Sequence, residues 1–239
     1  MITKVENNII FKNKNPIEIK RNNKQMKNIK QYWSEFIKNN KNVYNGNVYC
    51  ITNITKQKNE TIFELSKTKY EDVVYSEKHS DLNIRILFFG TYFVTVDGYY
   101  CIVKNDKNKL DLAGGYVDDN DFENDSFNPK KCLFREVKEE LGIDIRKNQN
   151  IKQINLKYLK LPNKQEDDLV NYPIGIIYES FLNLTSDELE KEFNKNKHII
   201  DGEIKEIVLI KDFNILDNYD EKVSYLLELF ECTKNEKVY

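Results

Sequence analysis

Residues 128–142 read NPKKCLFREVKEELG, and this stretch dictates its own conformation more tightly than any other in the chain. Asn128 offers a side-chain acceptor for an N-cap, and Pro129 brings a φ already set for the first helical position. Gly142 can enter the left-handed conformation that ends a helix. The spacing predicts a helix over Pro129–Leu141. Leu133, Val137 and Leu141 share one flank and should face a core, while Glu136, Glu139 and Glu140 share another as i, i+3 and i+4 neighbours. Arg135 lies one turn before Glu139, placed to pair with it. Like charges at this spacing cost a few tenths of a kcal/mol per pair when solvated, and more when partly buried. Taken alone, EVKEE reads most simply as a solvated face with one ion pair. The sharper reading is that the carboxylates share a hard divalent cation, which prefers oxygen ligands and reaches out to phosphates.

The rest of the chain frames that helix. Its 239 residues suffice for one large domain, or for a catalytic domain with an extension, and 15 Tyr and 13 Phe can build a substantial core. Formal net charge is −2 from 37 basic and 39 acidic residues, so no basic excess points to nucleic acid and no polybasic block to a membrane surface. MITKVENNIIFKNKN lacks the apolar core of a secretory leader, and no run approaches the roughly 20 apolar residues of a spanning helix. Cys50, Cys101, Cys132 and Cys232 are far apart, without a CxxC and with only two histidines. That disfavours a zinc site or disulfide framework and fits reduced thiols in a cytoplasm.

Along the chain, residues 1 to about 23 read as a weakly ordered start, and Lys24 to Asn39 as an amphipathic helix. NVYCITNI and TIFELS should pair as a hairpin, and Lys67 to Asn83 reads as a polar loop apart from Val73-Val74. From Ile84 the texture changes. IRILFFGTYFVTV and YYCIVK flank Asp97-Gly98, a hairpin signal. INLKYLKL, YPIGIIYESFL and EIKEIVLI read as strands. LTSDELEKEFNK reads as a helix capped by Thr185 or Ser186, and Asp217 to Phe230 as a closing helix with Val223, Leu226, Leu227 and Phe230 inward. The pattern favours an α+β fold, a mixed sheet between helices.

REVKEELGI, taken with LAGGYV at residues 112–117, resembles the Nudix box, the signature of the Nudix hydrolases. The family pattern is Gly, five residues, Glu, seven residues, then Arg-Glu-apolar-x-Glu-Glu-x-Gly-apolar. The resemblance implies a Nudix-type α/β/α sandwich from residue 84 to 239, with residues 1–83 as a small helix-and-hairpin extension. It implies Mg²⁺ or Mn²⁺ held by Glu136, Glu139, Glu140 and the Gly114 carbonyl, with Arg135 orienting the glutamates. It implies hydrolysis of the diphosphate in a nucleoside diphosphate linked to another group, such as a nucleotide sugar or dinucleotide. Glycine at 114 and 115 lets backbone and diphosphate approach closely. Between Gly115 and Arg135 the pattern needs 13 residues and this chain has 19. Counted forward from Gly115, the pattern's first glutamate, a structural one, falls on Asp121; counted back from Arg135, it falls on Phe127. The expanded box also resembles the branch containing UDP-sugar hydrolases, as does YNGNVYCITNI in the extension.

Other candidates surround the box. Glu139 or Glu203 is placed to act as the base, with Glu206 in the same late region; both late acids also fit an ordinary exposed strand face. Tyr116 beside the glycine pair should line the substrate pocket with Gly115 or else pack at the turn, and Lys104 should meet a phosphate or else serve as a plain strand-end lysine. The run DDNDFENDS (118–126) alternates acids like a calcium loop, but Asn124 and Lys130 stand where such a loop needs Gly and Glu; a solvated insertion fits better. His79 and His198 read as surface. Substrate choice should reside in loops 118–128 and 162–172 and in part of the extension. A nucleotide substrate, no membrane and no nucleic acid are the expected partners, and a homodimer is compatible with the sequence. The alternative function is a Nudix-fold module that binds a nucleotide without cleaving it.

Overall fold

The structure, a computed structural model, describes residues 2–6, 8–40, 43–79, 81–82, 84–124, 126–147, 150–161, 173–200, 202–212, 216, 219 and 224–236. Five helices are described: α1 Asn23–Asn39, α2 Tyr70–Ser76, α3 Pro129–Leu141, α4 Ser186–Asn196 and α5 Ser224–Glu236. The strands are β1 Ile2–Lys4, β2 Asn8–Glu18, β3 Asn47–Lys56, β4 Glu60–Lys69, β5 Arg85–Val94, β6 Tyr100–Asn105, β7 Leu110–Asp111, β8 Ala113–Tyr116, β9 Phe122–Glu123, β10 Ser126–Phe127, β11 Ile151–Lys160, β12 Ile174–Leu182 and β13 Ile204–Ile210. Eleven of them form one mixed sheet, with the order β1-β11-β12-β5-β3-β4-β2 and with β13, β6, β7 and β8 joined off that path. Among the described residues, no helix is long and apolar enough to cross a membrane.

Period-two alternation sorts the strands' side chains onto two faces. Leu87, Phe89 and Phe93 of β5, Cys101 and Val103 of β6, and Ile176 and Tyr178 of β12 enter one core with Leu133, Val137 and Leu141 of α3 and Leu189 and Phe193 of α4. Their neighbours Tyr92, Tyr100, Ile102 and Ile177 turn to the other face, under Leu226, Leu229 and Phe230 of α5. On that second face Ile86 of β5 and Val48 and Cys50 of β3 pack beneath Ile29 of α1 and Val73 of α2. Helices cover both sides, so the α+β sandwich inferred from the sequence is the architecture found.

The topology positions the site. One edge of β5 runs beside β12 in parallel from Leu87 to Val94. Its other edge is shared by three antiparallel partners: β3 at Arg85 and Ile86, β8 at Phe88 to Thr91, and β6 at Phe93 and Val94. The short glycine-bearing β8 therefore fills the gap where β3 and β6 splay apart.

Three local expectations change. The first 23 residues are not a loose start: β1 pairs with β11, and β2 pairs in parallel with β4. Phe11 stacks on Phe63 and meets Phe127 edge-on, so a distant apolar surface organises this polar segment. Residues 67–83 are not simply a loop, because β4 continues to Lys69 and α2 follows. Asp72 of α2 is fully buried, accepting from the Thr68 hydroxyl and pairing with Arg21. The closing helix is described from Ser224 onward; residues 217–218 and 220–223, Val223 among them, lie outside the described residues. Leu227 is 39% exposed and faces outward. Its neighbour Leu226 takes an inward position with Leu229 and Phe230. The expected hairpins β3–β4 and β5–β6 are present.

Candidate active site

Helix α3 is built as its sequence dictates. The Asn128 side chain accepts from Lys131 N–H, Pro129 opens the first turn, and Gly142 closes the helix at φ +69°. Leu133, Val137 and Leu141 are fully buried, which anchors the opposite flank beside β8.

On that flank, Arg135 is the organising charge. Its Nε donates to Asp121 Oδ1 at 3.0 Å and its Nη2 to Asp121 Oδ2 at 2.9 Å. Nη2 also donates to the Tyr116 carbonyl at 2.9 Å, while Nη1 meets Glu136 Oε1 at 2.8 Å and Glu139 Oε2 at 3.0 Å. Asp121 is wholly buried and also accepts from Asp118 N–H. Glu140 is buried as well and accepts from Gly114 N–H at 2.7 Å. It is thus the amide of Gly114 that meets Glu140.

Gly114 is sterically required, and Gly115 leaves room for the Glu136 carboxylate. Gly114 has φ +149°, and a Cβ there would lie 1.9 Å from the Phe89 carbonyl oxygen; one on Gly115 would lie 2.4 Å from Glu136 Cδ. Strand β8 can approach β5 and α3 together only without side chains at these positions. Burial pushes the Glu136 carboxyl up to about 8, with the Glu139 charge adding to the rise and Arg135 opposing it.

Of the two residues that the counts reach, Asp121 is wholly buried against Arg135. Strands β9 and β10 pair between Asp121 and α3. Phe127 is an apolar packing residue, 5.0 Å from the Phe11 ring. The acidic run is exposed at residues 119, 120, 123, 124 and 126, as a solvated insertion should be, but it is also tied to the protein. Asp118 caps the 3-10 turn Asp119–Asp121. Asp119 accepts from Tyr49 Oη and Lys67 Nζ, latching the loop to β3 and β4, and Glu123 pairs with Lys131. Among the described residues of the run, Asp118, Asp119, Asp121 and Glu123 each have a partner.

A cleft of about 810 Å³ opens over this arrangement, within the usual size of small-molecule sites. Gly114, Gly115, Tyr116, Arg135, Glu136, Glu139, Glu140 and Glu203 all line it. Lys104 does not; it pairs with Glu206 at 3.1 Å between β6 and β13. Sequence reasoning passed over Asp111, Tyr225 and Tyr44, which also line the cleft. Buried Asp111 accepts from the Tyr225 hydroxyl and from Leu112 N–H, a tie between β7 and α5 that no local pattern announces. Loop 162–172 lies outside the described residues.

Seven carboxylates (Asp106, Asp111, Asp118, Glu136, Glu139, Glu140, Glu203) line the cleft against two basic side chains, Lys107 and Arg135. Among the described residues, no three His, Cys, Asp or Glu side chains converge as a ready metal cage. The glutamate oxygens are turned to Arg135 and to Gly114 N–H instead.

No protein-family model and no curated protein matches the chain. Solved structures do resemble it. The NUDIX domain of Shewanella oneidensis NrtR, solved with ADP ribose, is 10% identical, with 72% of this chain and all of that one covered at a TM-score of 0.47. The MutT protein of Methanosarcina mazei Go1 is 18% identical over 65% of this chain and 96% of that one, TM-score 0.41. A NUDIX hydrolase from Nitrosomonas europaea is 13% identical over 65% and 92%, TM-score 0.40. Likeness of this degree does not reach the chemistry, which rests on the side chains of this chain.

Proposed function

We propose that the chain is a Nudix-type pyrophosphohydrolase, cleaving the diphosphate linkage of a nucleoside diphosphate joined to another group, with Mg²⁺ or Mn²⁺ as cofactor. One observation carries the reading: Asp121 holds a half-buried Arg135, which gathers Glu136 and Glu139 beside Glu140 and the Gly114–Gly115 strand in an acid-lined cleft.

The donor set fits a hard divalent cation. One guanidinium faces three carboxylates at hydrogen-bond distance, and Glu136 is driven toward its neutral form by burial. A diphosphate brings further negative charge, so positive charge must enter with it. Glu136, Glu139 and Glu140 would hold the ion, and oxygen donors of this kind suit Mg²⁺ and Mn²⁺. When bound, the ion supplies charge neutralisation on the diphosphate oxygens and acidifies an attacking water.

The chain's own residues do the rest. Glycines 114 and 115 leave room for a diphosphate against the backbone. Arg135, fixed by Asp121 and the Tyr116 carbonyl, orients Glu136 and Glu139. Glu139, with half of its side chain exposed, or Glu203 across the cleft takes the proton of a water whose oxygen attacks phosphorus. The bridging P–O bond breaks, its electron pair leaves on the departing phosphate, and a mononucleotide is released.

The test is Mg²⁺-dependent release of mononucleotide from a panel of nucleotide sugars and dinucleotides. Glu140→Gln should lower kcat at least about 100-fold, the scale of losing one group that organises the transition state. Equal turnover by the variant sinks the proposal. A second reading, a nucleotide-binding module without hydrolysis, draws on the glutamates being turned to Arg135 and Gly114 N–H. Tight calorimetric binding with no product after long incubation with metal selects it.

A further inference from the structure

We propose that Tyr44 is the stacking platform of a nucleobase subsite at the mouth of the cleft. The proposal deepens the hydrolase reading and rests on it for the diphosphate end of the ligand. Among the described residues, Tyr44 is at 83% the most exposed large hydrophobic side chain, and it alone of that exposed group lines the cleft. A ring left in water costs hydrophobic free energy that burial would recover, so its place beside a ligand cavity calls for a flat partner.

The ring is supported from beneath. Gly46 lies under it, and a Cβ there would meet the Tyr44 ring at 3.2 Å. Two hydrogen bonds fasten the turn behind Tyr44 to the start of α2: Glu71 N–H donates to Asn45 Oδ1 at 2.9 Å and Tyr70 N–H to the Gly46 carbonyl at 3.0 Å. The backbone that presents the ring is therefore tied to a packed element.

The cleft has two chemical sides. Helix α3 contributes Glu136, Glu139 and Glu140, suited to phosphate through cations. The segment before β3 and the start of α2 contribute Val43, Tyr44 and Tyr70, which offer no charge. The volume exceeds what a diphosphate needs, and the rings of Tyr44 and Tyr70, with Glu203 also lining the cleft, suit the flat, weakly polar part of a nucleotide. Stacking does not read base identity, so adenine and uracil should both be accepted.

The experiment uses the full chain with Mg²⁺ and two hydrolysis-resistant probes, α,β-methylene-ADP and methylenediphosphonate, which has no base. Base stacking on an aromatic side chain corresponds to roughly 5- to 150-fold in affinity. Tyr44→Ala should weaken α,β-methylene-ADP binding within that range while leaving methylenediphosphonate unchanged, and Tyr44→Phe should bind both as the wild type does. Unchanged ADP-analogue affinity in Tyr44→Ala, an equal loss for both probes, or no binding of the ADP analogue by the wild type overturns the subsite. So does sedimentation in which Tyr44→Ala only dissociates a dimer, which would make the ring a contact between copies. A selective loss of base affinity in a protein that turns over no diphosphate leaves the subsite standing and removes the hydrolase reading.

Discussion

Removing the Asp121 carboxylate should be among the most damaging single changes outside the apolar core. Asp121 has no exposed surface, and both its oxygens accept from Arg135, whose side chain is 16% exposed. Asp121→Ala leaves the guanidinium with two nearby glutamates but without its dry partner, and strips an acceptor from Asp118 N–H. Breaking a buried pair from one side costs about 3–5 kcal/mol, mostly the penalty of the stranded charge. For a chain of this size that corresponds to a fall in Tm of about 6 to 20 °C. Asp121→Asn retains one acceptor and should fall between this variant and the wild type. Glu123→Ala in the adjacent hairpin is the contrast: its pair with Lys131 spans 3.7 Å and both side chains are well exposed, so the change should stay within about 0.5 kcal/mol. Urea unfolding followed by far-ultraviolet circular dichroism reads all three. Asp121→Ala with stability indistinguishable from Glu123→Ala would show that Asp118, the glutamates and the Tyr116 carbonyl suffice to hold Arg135, and would refute Asp121 as its anchor.

Two further outcomes follow from the site. Gly114→Ala should cost roughly 3 kcal/mol or more or prevent folding, because its Cβ would strike a backbone carbonyl in a left-handed conformation; normal soluble yield and Tm would refute the close β5–β8 approach. Glu136 is an acid whose folded pKa, about 8, lies above its usual 4.5, so the folded state binds its proton more tightly. Without metal its contribution to stability is greatest below pH 4.5 and is lost as pH rises toward 8, with a slope of at most about 1.4 kcal/mol per pH unit. Urea midpoints at several pH values in EDTA should show this decline in the wild type and a flatter one in Glu136→Gln, and identical slopes would count against the buried carboxyl.

Which parts were legible follows from the range of the interactions involved. Helix α3, its caps and its two flanks could be read because capping, proline geometry and the 3.6-residue period act within a turn or two. The hairpins β3–β4 and β5–β6 were legible for the same reason. The resemblance to the Nudix box stood on five residues of one helix and a glycine pair, so it survived an insertion between them. Arg135 also reaches Glu139 within its own helix, a pairing visible from spacing alone.

Tertiary packing decided what spacing could not. Counting reached both Asp121 and Phe127; in the structure Asp121 meets Arg135, while Phe127 has apolar neighbours in Phe11, Phe89 and Phe122. Strand β2 looked featureless because its partner β4 is about fifty residues away and parallel, and the cost of closing such a loop is repaid only by a surface that the segment itself does not encode. Asp111, Tyr225 and Tyr44 reach the cleft from three separate elements, brought there by the folding of β7, α5 and the turn before β3. A sequence carries local conformational preference along its length. Which distant side chains share one cavity is settled only when burial and charge pairing are satisfied together in three dimensions.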